Sequence, residues 1–224
     1  MSNFIMAGRR LPKPSLADRN IAWASKGHCS IHAVLGDGDG VHIQAESWLE
    51  MRHFYLLNAD PNILKFREQA QFNFGPDLKR RHFFDALATT RAGTTIAYTV
   101  KPEVRLISGT FLEAMQEIAW WVKKLDFADE TRLLTEADVD PVALHNAQII
   151  AAARAPDPEA EAVARHVIRD MIGSRSLRDL TIATAMQARG YRALLRLIRL
   201  GALNVVPVCR ITPRALVCKP ETRS

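Results

Sequence analysis

Glu50, Asp85 and Lys101 are three side chains that together suit metal-assisted hydrolysis of a phosphodiester. Asp85 lies in the apolar run His82-Phe83-Phe84-Asp85-Ala86-Leu87-Ala88, and Lys101 closes a second run, Thr94-Thr95-Ile96-Ala97-Tyr98-Thr99-Val100. Adjacent strands joined by a turn can bring an acid near the middle of one beside a lysine at the end of the other. Aspartate is depleted in strands, so Asp85 must face outward or have a compensating partner, and a metal ion is one such partner. Glu50, on an amphipathic segment upstream, adds a second carboxylate. A hard divalent cation takes oxygen ligands, and an ammonium can hold or activate the attacking water. Singly, each residue has an ordinary reading: a solvated glutamate on a helix, a lysine at an exposed strand end. Their joint order carries the inference.

The elements that must position these residues can be read from periodicity. Ser30–Leu35 and Val41–Gln44 are predicted as short strands around the turn Gly36-Asp37-Gly38-Asp39-Gly40. That loop lacks the Lys-Ser/Thr of a P-loop, so a hairpin turn is expected. Glu46–Leu57 reads as a helix ended by Asp60-Pro61. Ile63–Phe66 and Ala70–Phe74 read as strands before the Asp85 strand, and Leu133–Thr135 as one more. Phe111–Lys124 is a helix, with Thr110 and Glu113 spaced as a capping box. Pro156-Asp157-Pro158 suggests a boundary. Beyond it, helices at Glu159–Ile172, Ser176–Gln187 and Gly190–Leu200 precede a hairpin of Leu203–Val206 with Ala215–Cys218. The expected class is α/β: a mixed sheet flanked by helices, plus a C-terminal helical, winged-helix-like domain. The expected organisation is a basic arm over 1–30, a core domain over 31–154 and the C-terminal domain over 155–224.

Composition narrows the classes. No apolar stretch of the 224 residues is long enough to span a bilayer, so no membrane partner is expected, and the N-terminus lacks an apolar export segment. Three cysteines without CxxC spacing suit reduced thiols and a cytoplasmic location and argue against structural zinc. His28, Cys29, His32 and His42 match no standard zinc template. The formal charge is +6, and residues 189–224 hold eight bases against one acid. A basic end suggests a polyanionic partner.

Glutamate on a helix, aspartate on a strand, then x-x-Lys at the end of the next strand is the plan of PD-(D/E)xK nucleases. Within that group the chain resembles TnsA-type endonuclease subunits of heteromeric transposases, over about residues 40–150. Glu46-Ser47-Trp48-Leu49-Glu50 is similar to the family's "ES.LE" helix start, and Asp60-Pro61 with Phe66-Arg67-Glu68-Gln69 to its "dp.v..yrEQ" segment. Phe84-Asp85-Ala86 stands at "pDf" and Thr99-Val100-Lys101-Pro102 at "(E/Q)VKp". Leu134-Thr135-Glu136-Ala137-Asp138 and Asn146 resemble the "vTe.di....l.N" stretch that closes the nuclease domain.

The resemblance implies a restriction-endonuclease-like fold and metal-dependent cleavage at a transposon's 5′ ends. It assigns catalysis to Glu50, Asp85 and Lys101, and Mg²⁺, with Mn²⁺ as substitute, to Glu50 and Asp85. The Val100 carbonyl is a further oxygen, Thr99 another, and Gln69 a DNA or partner contact. Transposon-end DNA, a TnsB-like recombinase and a TnsC-like AAA+ ATPase are the implied partners. Two departures stand out. Phe84 replaces a proline that coordinates nothing, whereas Thr99 replaces the Glu or Gln two residues before the lysine. Thr99 therefore keeps alive a catalytically weak or inactive adaptor bridging recombinase, ATPase and DNA. A stand-alone PD-(D/E)xK nuclease is the third reading.

Arg189, Arg192, Arg196 and Arg199 recur every three or four residues and form one basic stripe on the last helix. Such a stripe can lie on DNA phosphates or dock a protein. In the family resembled, this domain engages the ATPase.

Overall fold

Contact density divides the chain into two compact units: residues 1–35 with 40–140, and residues 36–39 with 141–224. The computed structural model describes residues 11–21 and 29–220. Most of the basic arm (residues 1–10 and 22–28), together with His28 and Arg223, lies outside the described residues.

In the first unit, β1 (Ile31–Leu35) and β2 (Val41–Ala45) form an antiparallel hairpin across the glycine-rich turn. Gly36, Gly38 and Gly40 all take positive φ there, which only glycine adopts without strain. Next, α1 (Trp48–Ala59) is capped by Ser47 and precedes a four-stranded sheet. Its strands β3 (Ile63–Phe74), β4 (Arg80–Thr90), β5 (Thr95–Val100) and β6 (Glu130–Leu134) are neighbours in that order. The first three pair antiparallel and β5 pairs parallel with β6, as the crossover helix α2 (Thr110–Lys124) requires. The protein is thus α/β, with a mixed sheet flanked by helices. Ala70, Phe72, Phe74, Phe84 and Ala97 on the sheet bury against Met115, Ile118 and Val122 of α2. Phe54 of α1 meets Phe66 of β3, with ring centroids 5.8 Å apart.

Three local expectations are corrected. Segments 63–66 and 70–74 are one strand, because a single residue in a left-handed conformation (Gln69, φ 50°) bends the chain without ending its pairing. Thr110 is not a cap: Gly109, at φ 74°, precedes the helix and no side chain caps it. The 156–158 segment breaks nothing, since Asp157 caps α4 by accepting from Ala160 N–H at 3.2 Å, with Pro158 in the first turn.

The second unit opens with a helix that the sequence pattern did not reveal, α3 (Pro141–Ala152). Then come α4 (Pro158–Arg169), β7 (Ser174–Ser176), α5 (Leu177–Thr184), α6 (Gln187–Arg199), β8 (Asn204–Val205) and β9 (Leu216–Cys218). The hairpin expected between 203–206 and 215–218 is present as β8–β9, and β7 adds to its free edge in the order β7-β9-β8. Leu177, Leu180, Leu194, Leu197, Leu203 and Val217 fill the core between helices and sheet.

Candidate active site

Glu50 is placed by its own helix end. Ser47 caps α1, accepting from Glu50 N–H at 3.2 Å, while its hydroxyl donates to Glu50 Oε1 at 2.9 Å. Glu50 Oε2 accepts from Glu46 N–H at 2.9 Å. The carboxylate therefore turns back over the first turn, where the helix dipole favours negative charge. Even so, it is 7% exposed, and burial raises its pKa against the pull of these hydrogen bonds and of Lys101.

Asp85 sits where β4 and β5 stop pairing. Their ladder runs from Thr89–Thr95 to Ala86–Tyr98. Past it the Asp85 side chain bridges the strands, Oδ2 accepting from Val100 N–H at 2.7 Å. On the opposite side of β4 the bend at Gln69 falls between the pairs Glu68–Ala86 and Ala70–Phe84. Asp85 thus occupies a local opening of the sheet and is still only 8% exposed. Burial first, then the Glu50 charge, push its pKa up to about 7, while the Val100 N–H and Lys101 pull it down. Lys101, one residue past β5, donates its backbone N–H to Leu134 O at 2.9 Å and holds its ammonium 5.7 Å from the Phe111 ring centre.

Glu50, Asp85 and Lys101 thus act on one another electrostatically: the Glu50 charge raises the pKa of Asp85, and Lys101 lowers that of both acids. Two buried carboxylates coupled in this way favour a nearby cation, and both are oxygen donors of the kind Mg²⁺ or Mn²⁺ takes. Among the described residues, no group of three or more His, Cys, Asp or Glu side chains stands at metal-ligating distance. Two carboxylates alone would leave an ion to complete its shell with water and substrate oxygens. Thr99 is 1% exposed, with Oγ1 3.4 Å from His82 Nε2. Gln69 is fully buried, and its Oε1 accepts from Arg19 Nε at 2.7 Å.

Three residues at this site escaped sequence reasoning. Arg19 ion-pairs with Glu46 at 3.1 Å and lies 4.5 Å over the Phe83 ring. Glu46 raises the pKa of both Glu50 and Asp85 by its charge. His82 is held neutral, its pKa lowered to about 4 by burial and by the positive charges of Lys101 and Arg19. For Arg19, 27 residues from Glu46 and 50 from Gln69, no local spacing could have given the signal. His82, three residues before Asp85 in the same apolar run, could have been found as a polar residue out of pattern.

The arginine stripe of α6 has internal partners. Arg189 pairs with Asp157 at 2.7 Å and Glu159 at 2.6 Å, and Arg192 donates to Ala152 O at 3.0 Å. Arg196, with an 11% exposed side chain, pairs with Glu161 at 2.5 Å and donates to Arg154 O. Arg199 pairs with Asp37 at 2.7 Å. Arg189, Arg192 and Arg196 thus bind the α3–α4 connection and the start of α4. Asn146 is likewise structural: its amide donates to Cys209 O at 2.9 Å and accepts from Ile211 N–H at 2.7 Å inside the second unit, not at the close of the first. His32 and His42 stack as a pair with ring nitrogens 3.0 Å apart.

Compared with models of known protein families and with curated protein sequences, the chain matches none. No helix among the described residues is long and apolar enough to cross a membrane.

Proposed function

We propose that the protein is a metal-dependent DNA endonuclease of the PD-(D/E)xK type, acting as the TnsA-like subunit of a heteromeric transposase. The observation that carries this reading is the buried Glu50–Asp85 pair beside Lys101, at a local opening of a mixed sheet. The strand order and the helix-borne glutamate are consistent with a restriction-endonuclease-like fold. The second unit's order α4-β7-α5-α6-β8-β9 suits a winged helix.

In this reading Glu50 and Asp85 would hold Mg²⁺, which would supply Lewis-acid stabilisation of the phosphoryl oxygens and lower the pKa of the attacking water. Lys101 stabilises the charge that grows on the phosphate, a role an ammonium fills without losing its proton. The Val100 N–H fixes the Asp85 carboxylate, and Ser47 with the Glu46 N–H fixes that of Glu50, so neither acid must reorganise as substrate enters. The DNA partner is a transposon end, with a TnsB-like recombinase and a TnsC-like ATPase as protein partners.

The test is Mg²⁺- or Mn²⁺-dependent nicking of transposon-end duplexes by the full-length protein with those partners. Asp85→Ala and Lys101→Ala should each cut at least about 10²-fold more slowly. Undiminished cutting by either variant sinks the assignment. The buried threonine at position 99 favours a second reading, an adaptor with little or no catalysis. A wild type that assembles with its partners yet nicks no faster than Asp85→Ala would select the adaptor.

A further inference from the structure

The carboxylate pair leaves one cation of the site without a role. Arg19 belongs to a non-helical N-terminal segment that is tied down at Lys13 and at Asp18. Lys13 bridges to Val41, and Asp18 accepts from Arg67 at 2.6 Å and from Gln71 N–H at 2.8 Å. Asp18 N–H also donates to Gln69 O at 3.2 Å. The guanidinium then meets Gln69, Glu46 and the face of Phe83 together. Its position is built by the fold.

The strand that receives it is irregular in a way that simple anchoring does not require. Gln69 is a non-glycine residue at φ 50°, in the left-handed region, and lies fully buried opposite the Asp85 opening. With its Oε1 engaged by Arg19, its Nε2 is buried with no protein hydrogen-bond partner among the described residues. Left-handed backbone at a buried non-glycine residue is costly and clusters at functional sites. The outer end of the contact is loose by comparison. The Arg19 and Glu46 side chains are 38% and 30% exposed, and a pair so exposed contributes little and exchanges readily for another anion. Lys101 and Arg19 both lower the pKa of the same imidazole, that of His82, by their charge.

We infer that Arg19 grips a backbone phosphate of duplex DNA flanking the scissile one, with Gln69 as the positioning residue for its guanidinium and Glu46 as the counter-ion displaced on binding. A planar fork matches two phosphate oxygens at once, which an ammonium cannot do. The inference rests on the endonuclease reading and names a second phosphate contact for it.

The experiment measures binding of a transposon-end duplex to the full-length protein across a salt series, with Ca²⁺ in place of Mg²⁺, together with melting temperature. For Arg19→Gln we expect roughly tenfold or greater loss of affinity and a salt slope smaller by about 0.9, the signature of one lost phosphate contact. Arg19→Lys should keep most of the slope while losing affinity several-fold, because charge survives and the fork does not. Glu46→Gln should bind at least as tightly as wild type. A folded Arg19→Gln with wild-type affinity and slope overturns the inference and leaves the endonuclease reading standing. Equal loss of slope in Arg19→Lys and Arg19→Gln also overturns it. A wild type whose binding shows no salt dependence overturns both.

Discussion

At the residue scale, Asp85 and Glu50 each combine two demands, and the cost can be measured. Asp85 carries a carboxyl whose pKa rises from 3.8 to about 7 on folding without metal, mainly through burial and secondly through Glu50. Below about pH 4 it is protonated folded or unfolded. Between about 4 and about 7 only the folded state holds the proton, so stability contributed there is lost as pH rises through the window. The full penalty above it is on the order of a few kcal/mol. Asp85→Asn keeps an acceptor for the Val100 N–H and removes the charge. Metal-free wild type should therefore fall in melting temperature from about pH 5 to about pH 8 more steeply than Asp85→Asn. Mn²⁺ should recover the loss in wild type alone. Parallel curves for the two proteins would show that Asp85 is not a buried, strained acid. The association of Glu50, Asp85 and Lys101 was legible because types and order sufficed. Arg19 and Glu46 were not legible as partners, since a bend at Gln69 and a non-helical segment bring them together and no periodicity encodes either.

Elements were legible wherever one period dominated. The strands around Asp85 follow continuous apolar runs and α2 a helical face, whereas boundaries went astray where chain geometry overrode pattern. The start of α6 is one example: Gly190 looks like a helix start, yet α6 begins at Gln187 and Gly190 lies inside it. The reason is packing against α5. A Cβ on Gly190 would lie 2.0 Å from Thr184 Oγ1 and 3.0 Å from its Cβ. Thr184 cannot give way freely, because its hydroxyl donates to Thr181 O at 2.7 Å and accepts from Met186 N–H at 3.3 Å. Gly190→Ala should gain helix propensity and still destabilise the protein by about 2–3 kcal/mol through overpacking. Adding Thr184→Ala should recover part of this, so the double variant is more stable than the sum of the singles implies. Denaturant titration of the four proteins reads the coupling directly. An additive pair would mean that Gly190 is present for some reason other than this contact.

The whole molecule divides at a place that the sequence hid. Pro156-Asp157-Pro158 resembles a linker, but its Asp157 caps α4 and pairs with Arg189, which draws the segment into the second unit. The preceding helix α3 belongs there as well. Asn146 satisfies Cys209 O and Ile211 N–H, His145 meets Ile211 O at 3.2 Å, and Ala153, just past α3, is fully buried in that core. Arg192 and Arg196 close the arrangement by donating to Ala152 O and Arg154 O at its C-terminal end, where cations are favoured. Arg192 and Arg196 thereby clasp the end of α3, while Arg189 pairs at the surface, and a one-dimensional stripe could not reveal which partners it meets. Residues 141–224 should therefore unfold cooperatively as an isolated fragment. Residues 155–224 lack α3 and leave several backbone groups and two arginines without these partners, so they should be less stable by at least about 3 kcal/mol or not fold. Circular dichroism melts of the two fragments decide the matter. Equal stability would mean that α3 is no part of this unit and that the arginine clasp contributes nothing to it.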